Sequence, residues 1–160
     1  MTKENEIENT YTVTVDYTRT VKQAIEAGDY DSVSDSINSK NFPESQAKQG
    51  IERAQQKNKV PTQITLIHLN RIVTTDEALK ELDQKGYRPA NLYELLALGA
   101  QQQDLQRTNL IVGLGSSWVL PWGGRSVPCL GRFGSRRGVG LDWAAYDWDV
   151  GWRFAASWRK

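Results

Sequence analysis

Three carboxylates fall close together near the C-terminus: Asp142, Asp147 and Asp149. Paired carboxylates can do acid–base work or hold a hard cation, which needs a crowd of oxygen ligands. Here the oxygen donors are few and the glycine pattern of a calcium loop is absent. Surface and hydrogen-bonding roles are the reading, with Asp147 placed to position Arg153. The chain has one histidine, His68, and one cysteine, Cys129. A thiol–imidazole pair would have to be these two, and nothing in their spacing supports it. His68 alternates with Ile64 and Leu66 in the most apolar segment, as expected of a hydrogen-bonded core or edge histidine. Gly113-Leu-Gly115 and Gly138-Val-Gly140 lack the further glycine or the Lys-Ser/Thr of a phosphate loop, and read as turns. No catalytic residue, metal site or cofactor is expected, and the chain reads as a non-enzyme.

The elements that would carry any site come next. A chain of 160 residues is expected to form one domain with a real core. Residues up to about Thr10 read as a polar tail. Tyr11 to Tyr17 alternates and is β-branched, predicting a strand. Thr20 and Gln23 form a capping box for a short helix that Gly28 ends. Asp29 to Phe42 reads as loop with a helical turn near Val33 and Ile37. Pro43 to Lys59 fits either a surface helix or an excursion loop. Thr62 to Val73 is the clearest strand. Thr74 with Glu77, and Asn91 with Glu94, cap two further helices. Leu79 and Leu82 are the core residues of the first, which Gly86 stops; Gly99 is read as closing the second. Asn109 to Val112 begins a strand. Short β pieces follow at Val127 to Leu130, Val139 to Trp143 and Trp152 to Trp158. The order predicts an α+β fold ending in an irregular β-rich region.

Acids outnumber bases 16 to 13 up to Ile111, and bases outnumber acids 7 to 3 from Val112 onward. The near-zero net charge disfavours a nucleic-acid partner. A single cysteine excludes an internal disulfide and a multi-cysteine zinc site. The N-terminus lacks the apolar core of a secretory signal, and no apolar run is long enough to span a bilayer. A cytoplasmic setting, or later incorporation into a particle such as a virion, is the expectation.

The composition changes abruptly at Val112. From there to Arg159 the chain has no Asn, Lys, Thr, Ile, Glu, Gln, His or Met, while all six Trp lie within it. Each missing residue type needs an adenine in its codon. With the tail arginines read as adenine-free codons, only Asp142, Tyr146, Asp147 and Asp149 break the pattern. A GC-rich genome would deplete adenine everywhere, and the first two-thirds of the chain rules that out. Six Trp cannot share one small core, so aromatic surface is implied.

Three tail segments carry a resemblance: Gly113-Leu-Gly-Ser-Ser-Trp118, Gly124-Arg-Ser-Val-Pro-Cys-Leu130, and Leu141-Asp-Trp-Ala-Ala-Tyr-Asp-Trp-Asp-Val-Gly-Trp-Arg-Phe-Ala-Ala156. They resemble the variable regions of target proteins of diversity-generating retroelements, of the type found in archaea, their viruses and small-genome bacteria. Lys85 to Gly99, and Val15-Asp-Tyr17 through Phe42-Pro43, look like the same family. The resemblance implies a C-type-lectin fold related to the formylglycine-generating enzyme. It implies a surface rewritten by a reverse transcriptase that misincorporates at template adenines. The enzyme relative works through a cysteine pair, which this chain lacks, so the shared fold would not carry that chemistry.

Carried onto this chain, the resemblance implies fixed scaffold positions at Trp118, Arg125, Pro128, Leu130, Leu141, Trp143, Trp148, Arg153 and Phe154. It implies diversified, ligand-contacting positions at Trp122, Ser126, Cys129, Gly131, Phe133, Gly138, Gly140, Asp142, Ala145, Tyr146, Asp149, Val150 and Gly151. Of these, Tyr146, Trp122 and Phe133, together with Trp152, are the side chains suited to supply binding energy. The ligand would be a protein, its identity and the oligomeric state being open. Two rival readings are a carbohydrate-binding or degenerate enzyme-like cleft of Trp and Asp, which a glycan array discriminates, and a nucleic-acid binder using Arg and Trp, which salt-dependent binding to single-stranded DNA discriminates.

Overall fold

The computed structural model describes residues 9–159; most of the expected polar N-terminal tail lies outside them. Strand β1 (Asn9–Asp16) alternates as expected, with Val13 and Val15 buried. Helix α1 (Val21–Glu26) starts at Thr20, whose hydroxyl accepts the Gln23 amide while the Gln23 side chain accepts the Thr20 amide. Strand β2 (Ser32–Val33) comes next, where a helical turn is expected from sequence: Val33 instead pairs in parallel with Val139. Pro43 to Lys59 resolves into the four-residue helix α2 (Glu44–Ala47), a 3-10 turn at Arg53–Gln55 and loop. The long strand β3 (Lys59–Ile67) starts earlier and stops earlier than its apolar run suggests. Its pairing ends at Ile67, and Asn70 takes a left-handed backbone (φ 58°) that no strand tolerates.

Helices α3 (Thr75–Gln84) and α4 (Leu92–Gln101) both open with complete capping boxes, from Thr74–Glu77 and Asn91–Glu94. In α3 the fully buried residues are Ala78 and Leu82, and Leu79 is only half-covered. In α4, Gly99 lies inside the helix and does not end it. Its role is close approach: the Tyr30 hydroxyl donates to the Leu96 carbonyl at 2.9 Å, and a Cβ on Gly99 would lie 2.1 Å from that hydroxyl. Between these helices runs β4 (Tyr87–Pro89), and after them come α5 (Leu105–Thr108) and β5 (Leu110–Val112). The tail forms β6 (Trp118–Val119), β7 (Arg125–Phe133), β8 (Arg136–Trp143) and β9 (Trp152–Trp158), so two of its expected short pieces are strands of eight or nine residues.

All nine strands join one mixed sheet in the order β1-β3-β9-β5-β7-β8-β2, with β4 on β9 and β6 on β7. β5 runs parallel to β9 and β2 parallel to β8; the other pairs are antiparallel. The α+β class expected from the order of elements holds. One apolar cluster joins Val13, Val15, Ile64, Leu130 and Val139 to the α4 leucines. A second gathers Ile67, Leu82, Val112, Val127 and Phe154 around Trp148. Arg88 clamps the buried Glu94 with two hydrogen bonds, 2.9 and 2.6 Å, so the charge at the start of α4 is paired as burial demands. At the outer edge of the sheet, the Gln101 side chain receives the Thr14 amide and donates to the Thr14 carbonyl. No described helix is long and apolar enough to cross a membrane.

Candidate binding face

The β7–β8 hairpin sets the geometry. Directly opposed residues of an antiparallel pair project to the same side, and neighbours along a strand alternate. The register pairs Val127 with Asp142, Cys129 with Gly140, Gly131 with Gly138, and Phe133 with Arg136. Cys129, Gly131, Phe133, Gly138, Gly140 and Asp142 therefore share one side of the hairpin. Leu130, Val139 and Leu141 take the other side and join the α4 cluster. The same pleat carries Leu110 and Trp152 onto the side of Cys129, through Val112 opposite Cys129 and Trp152 opposite Leu110.

The segment between β8 and β9 completes the face. Trp148 anchors it, only 2% exposed. The indole donates to the Thr75 hydroxyl at 2.9 Å, and that hydroxyl donates to the Ala144 carbonyl at 2.6 Å. Trp148 and Val73 exchange backbone hydrogen bonds of 2.7 and 3.0 Å. Trp152 and Phe154 meet the indole edge-on. With Trp148 held, Ala145, Tyr146, Asp149, Val150 and Gly151 are all exposed. His68, expected within a strand, sits just beyond β3 and makes a 2.6 Å hydrogen bond to the Val150 carbonyl. It acts as a strut for the segment. Asp149 accepts the Gly151 amide, and the Arg153 guanidinium donates to the Gly151 carbonyl rather than to Asp147, the partner expected from sequence.

Seven of the nine tail glycines divide into two groups, while Gly113 lies close against the Ala90 carbonyl and Gly124 against the Trp122 ring. Gly115 is locked: a Cβ there would lie 2.6 Å from the carbonyl oxygens of both Pro89 and Ala90. Gly123 and Gly134 have positive φ. Gly131, Gly138, Gly140 and Gly151 have none of these constraints. A Cβ at Gly140 meets nothing within 4 Å, and at the other three it meets first only the ends of the Leu110, Phe133 or Asp149 side chains. Nothing in the backbone requires glycine at these four positions.

Two nominated positions depart from an exposed reading. Ser126 is 4% exposed, because it pairs with Trp118 on one side and Trp143 on the other, on the face opposite Cys129. Gly138 is buried, but its cover is the ring of Phe133, itself 71% exposed. Trp122 is 69% exposed and its ring leans on Trp143 at 5.3 Å, apart from the Cys129 side. Cys129 is half-buried; burial, reinforced by the Asp142 carboxylate, pushes its thiol up to about 12. Among the described residues no group of three His, Cys, Asp or Glu could hold a metal ion. Of the expected scaffold positions, Leu130, Trp148 and Phe154 are buried, whereas Arg125 is exposed.

Sequence reasoning missed the residues that hold the hairpin down. Arg137 is 2% exposed; its backbone amide donates to the Asp31 carboxylate at 2.7 Å, but its guanidinium has no carboxylate partner among the described residues. Its guanidinium donates to the carbonyls of Gly28 (2.8 Å), Gly99 (2.6 Å) and Gln103 (3.2 Å), and lies over the Tyr30 ring. These carbonyls lie at or just past the ends of α1 and α4, where the helix dipole is negative and welcomes a cation. Gln106, also buried, donates to the carbonyls of Gly131 and Gly138 from beneath the pair. An Arg-Arg pair after a Gly-Ser turn carries no local sign that its second member is buried. Comparison with protein-family models, curated proteins and solved structures returned no match to this chain.

Proposed function

We propose that this chain is a ligand-binding scaffold of C-type-lectin type. In this reading its recognition face is the Cys129 side of the β7–β8 hairpin together with residues 145–151, rewritten by adenine-directed retroelement mutagenesis. The observation that carries the reading is the glycine division. Gly131, Gly138, Gly140 and Gly151 occupy backbone that any residue can adopt, with open space or movable side chains above them. A position free to be any residue, in a gene segment stripped of adenine, is what a rewritten surface requires.

The energetics fit protein recognition. Tyr146, Phe133 and Val150 are exposed by about half or more, and rigid aromatics lose little entropy on binding. The face rests on a sheet and on the Trp148 anchor, which lowers the cost of ordering it. Fixed packing and changeable contacts thus occupy different side chains.

The test uses the whole chain with Ala145 and Tyr146 substituted together. Wild type and variant serve as baits for a displayed protein library. Unchanged melting with different recovered ligands supports the reading; a collapsed fold, or identical ligands, counts against it. In the genome, the reading requires a near-identical repeat of the tail segment beside a reverse transcriptase, differing where it carries adenine.

A further inference from the structure

A cavity of about 490 Å³ lies among α3, β4, the segment after β5 and the start of β7. Its walls divide by chemistry. Leu79, Pro89 and Leu114 supply an apolar side, and Arg88, Arg125 and Ser117 supply polar groups. Among the described residues no Asp or Glu lines it. The Arg88 guanidinium is already committed to the Glu94 carboxylate through two hydrogen bonds. The exposed Arg125 guanidinium has no hydrogen-bond or ion-pair partner among the described residues. The cavity thus holds one uncompensated positive charge beside an apolar wall. Its volume falls within the range of small-ligand sites.

We infer that this cavity binds an apolar group carrying a carboxylate. The Arg125 fork matches the two oxygens of a carboxylate, the Ser117 hydroxyl is a further donor, and Leu79 with Leu114 receives the apolar part. A doubly charged phosphate suits the site less well, because one free guanidinium would leave the second charge uncovered against leucine. None of the lining residues belongs to the nominated changeable set. The pocket is a fixed feature, and its inference does not depend on the function proposed above. The Arg125 carbonyl accepts the amide of Ala144, the residue before Ala145, which ties the pocket to the segment after β8.

The experiment titrates the full chain with N-acetyl-leucine and with its neutral amide, by calorimetry and by amide NMR shifts at low salt. The acid is expected to bind and to shift the amides of Leu114 to Ser117. The neutral amide, and the acid with Arg125→Gln, are each expected to bind at least tenfold more weakly. Arg125 is exposed, so R125Q should melt like wild type; Leu79→Ser provides a second variant that weakens the acid through the apolar wall. A short peptide ending in a free leucine carboxylate separates a chain terminus from a free acid as the source. No binding of the acid at tens of millimolar, equal binding of acid and amide, or undiminished binding by R125Q overturns the inference.

Discussion

Replacing Gly140 and Gly115 in turn tests the central distinction of the tail. Gly140 lies mid-strand in β8, its φ is not positive, and a Cβ there meets nothing within 4 Å. A glycine in a strand interior costs about 0.5–1 kcal/mol relative to alanine, because it surrenders more backbone freedom on folding. Gly140→Ala should therefore stabilise by about that amount, a melting rise of roughly 1–4 °C for a domain of this size. Gly140→Tyr projects a ring into solvent and should stay within about 0.5 kcal/mol of wild type. Gly115→Ala places the new methyl 2.6 Å from two backbone carbonyl oxygens and strains the 2.8 Å Gly115–Ala90 hydrogen bond. Backbone cannot step aside as a side-chain tip can. Overpacking at about 1–3 kcal/mol, with about 1 kcal/mol added for the weakened hydrogen bond, predicts a melting drop of roughly 4–16 °C. Differential scanning calorimetry of the three variants decides. If G140Y fell as far as G115A, the glycines on the Cys129 side would be structural, and the case for a rewritable face would be lost.

Four further outcomes follow from the same geometry. Arg137→Met should cost about 3–5 kcal/mol in urea unfolding, since it strips the helix-end carbonyls of a buried donor; Arg137→Lys should recover only part, having one donor group in place of a fork. Ser126→Tyr should destabilise by about 1–3 kcal/mol by overpacking beneath the Trp118 and Trp143 strands, while Ala145→Tyr should leave the melting temperature within error. Iodoacetamide should modify Cys129 in the folded chain far more slowly than in urea at pH 8, with the rate still climbing tenfold per unit to about pH 11, because burial and then Asp142 raise the thiol to about 12. That raised value favours the neutral thiol, so its contribution to stability is full below about pH 8.5 and is lost as pH rises from there toward 12; alkaline melting curves compared with Cys129→Ser measure it.

What was legible beforehand was local. The three capping boxes lie within four-residue windows, and each formed as its Thr or Asn and its Gln or Glu foretold. The alternation of Thr and Val in β1 is likewise a near-neighbour signal. Two of the misreadings involve partners remote in sequence. Gly99 looks like a helix stop until Tyr30 is seen lying against it from 69 residues away. Val33 pairs with Val139, and no short-range pattern announces a two-residue strand. At the candidate face, the sequence nominated residues but not which way they point. Ser126 and Cys129 look alike as small tail residues. The expected strand began at Val127; in β7, which starts at Arg125, their spacing of three places them on opposite sides of the sheet, one against Trp143 and the other opposite Gly140.

The Gln101 clasp on Thr14 has a consequence for solubility. β1 is an eight-residue strand at the rim of the sheet, with its outward amides and carbonyls free to recruit another molecule. By taking up one amide and one carbonyl in mid-strand, the glutamine interrupts the ladder on which a foreign strand would have to zip. This guard against fibre growth lies wholly in the first two-thirds of the chain, outside the adenine-poor tail.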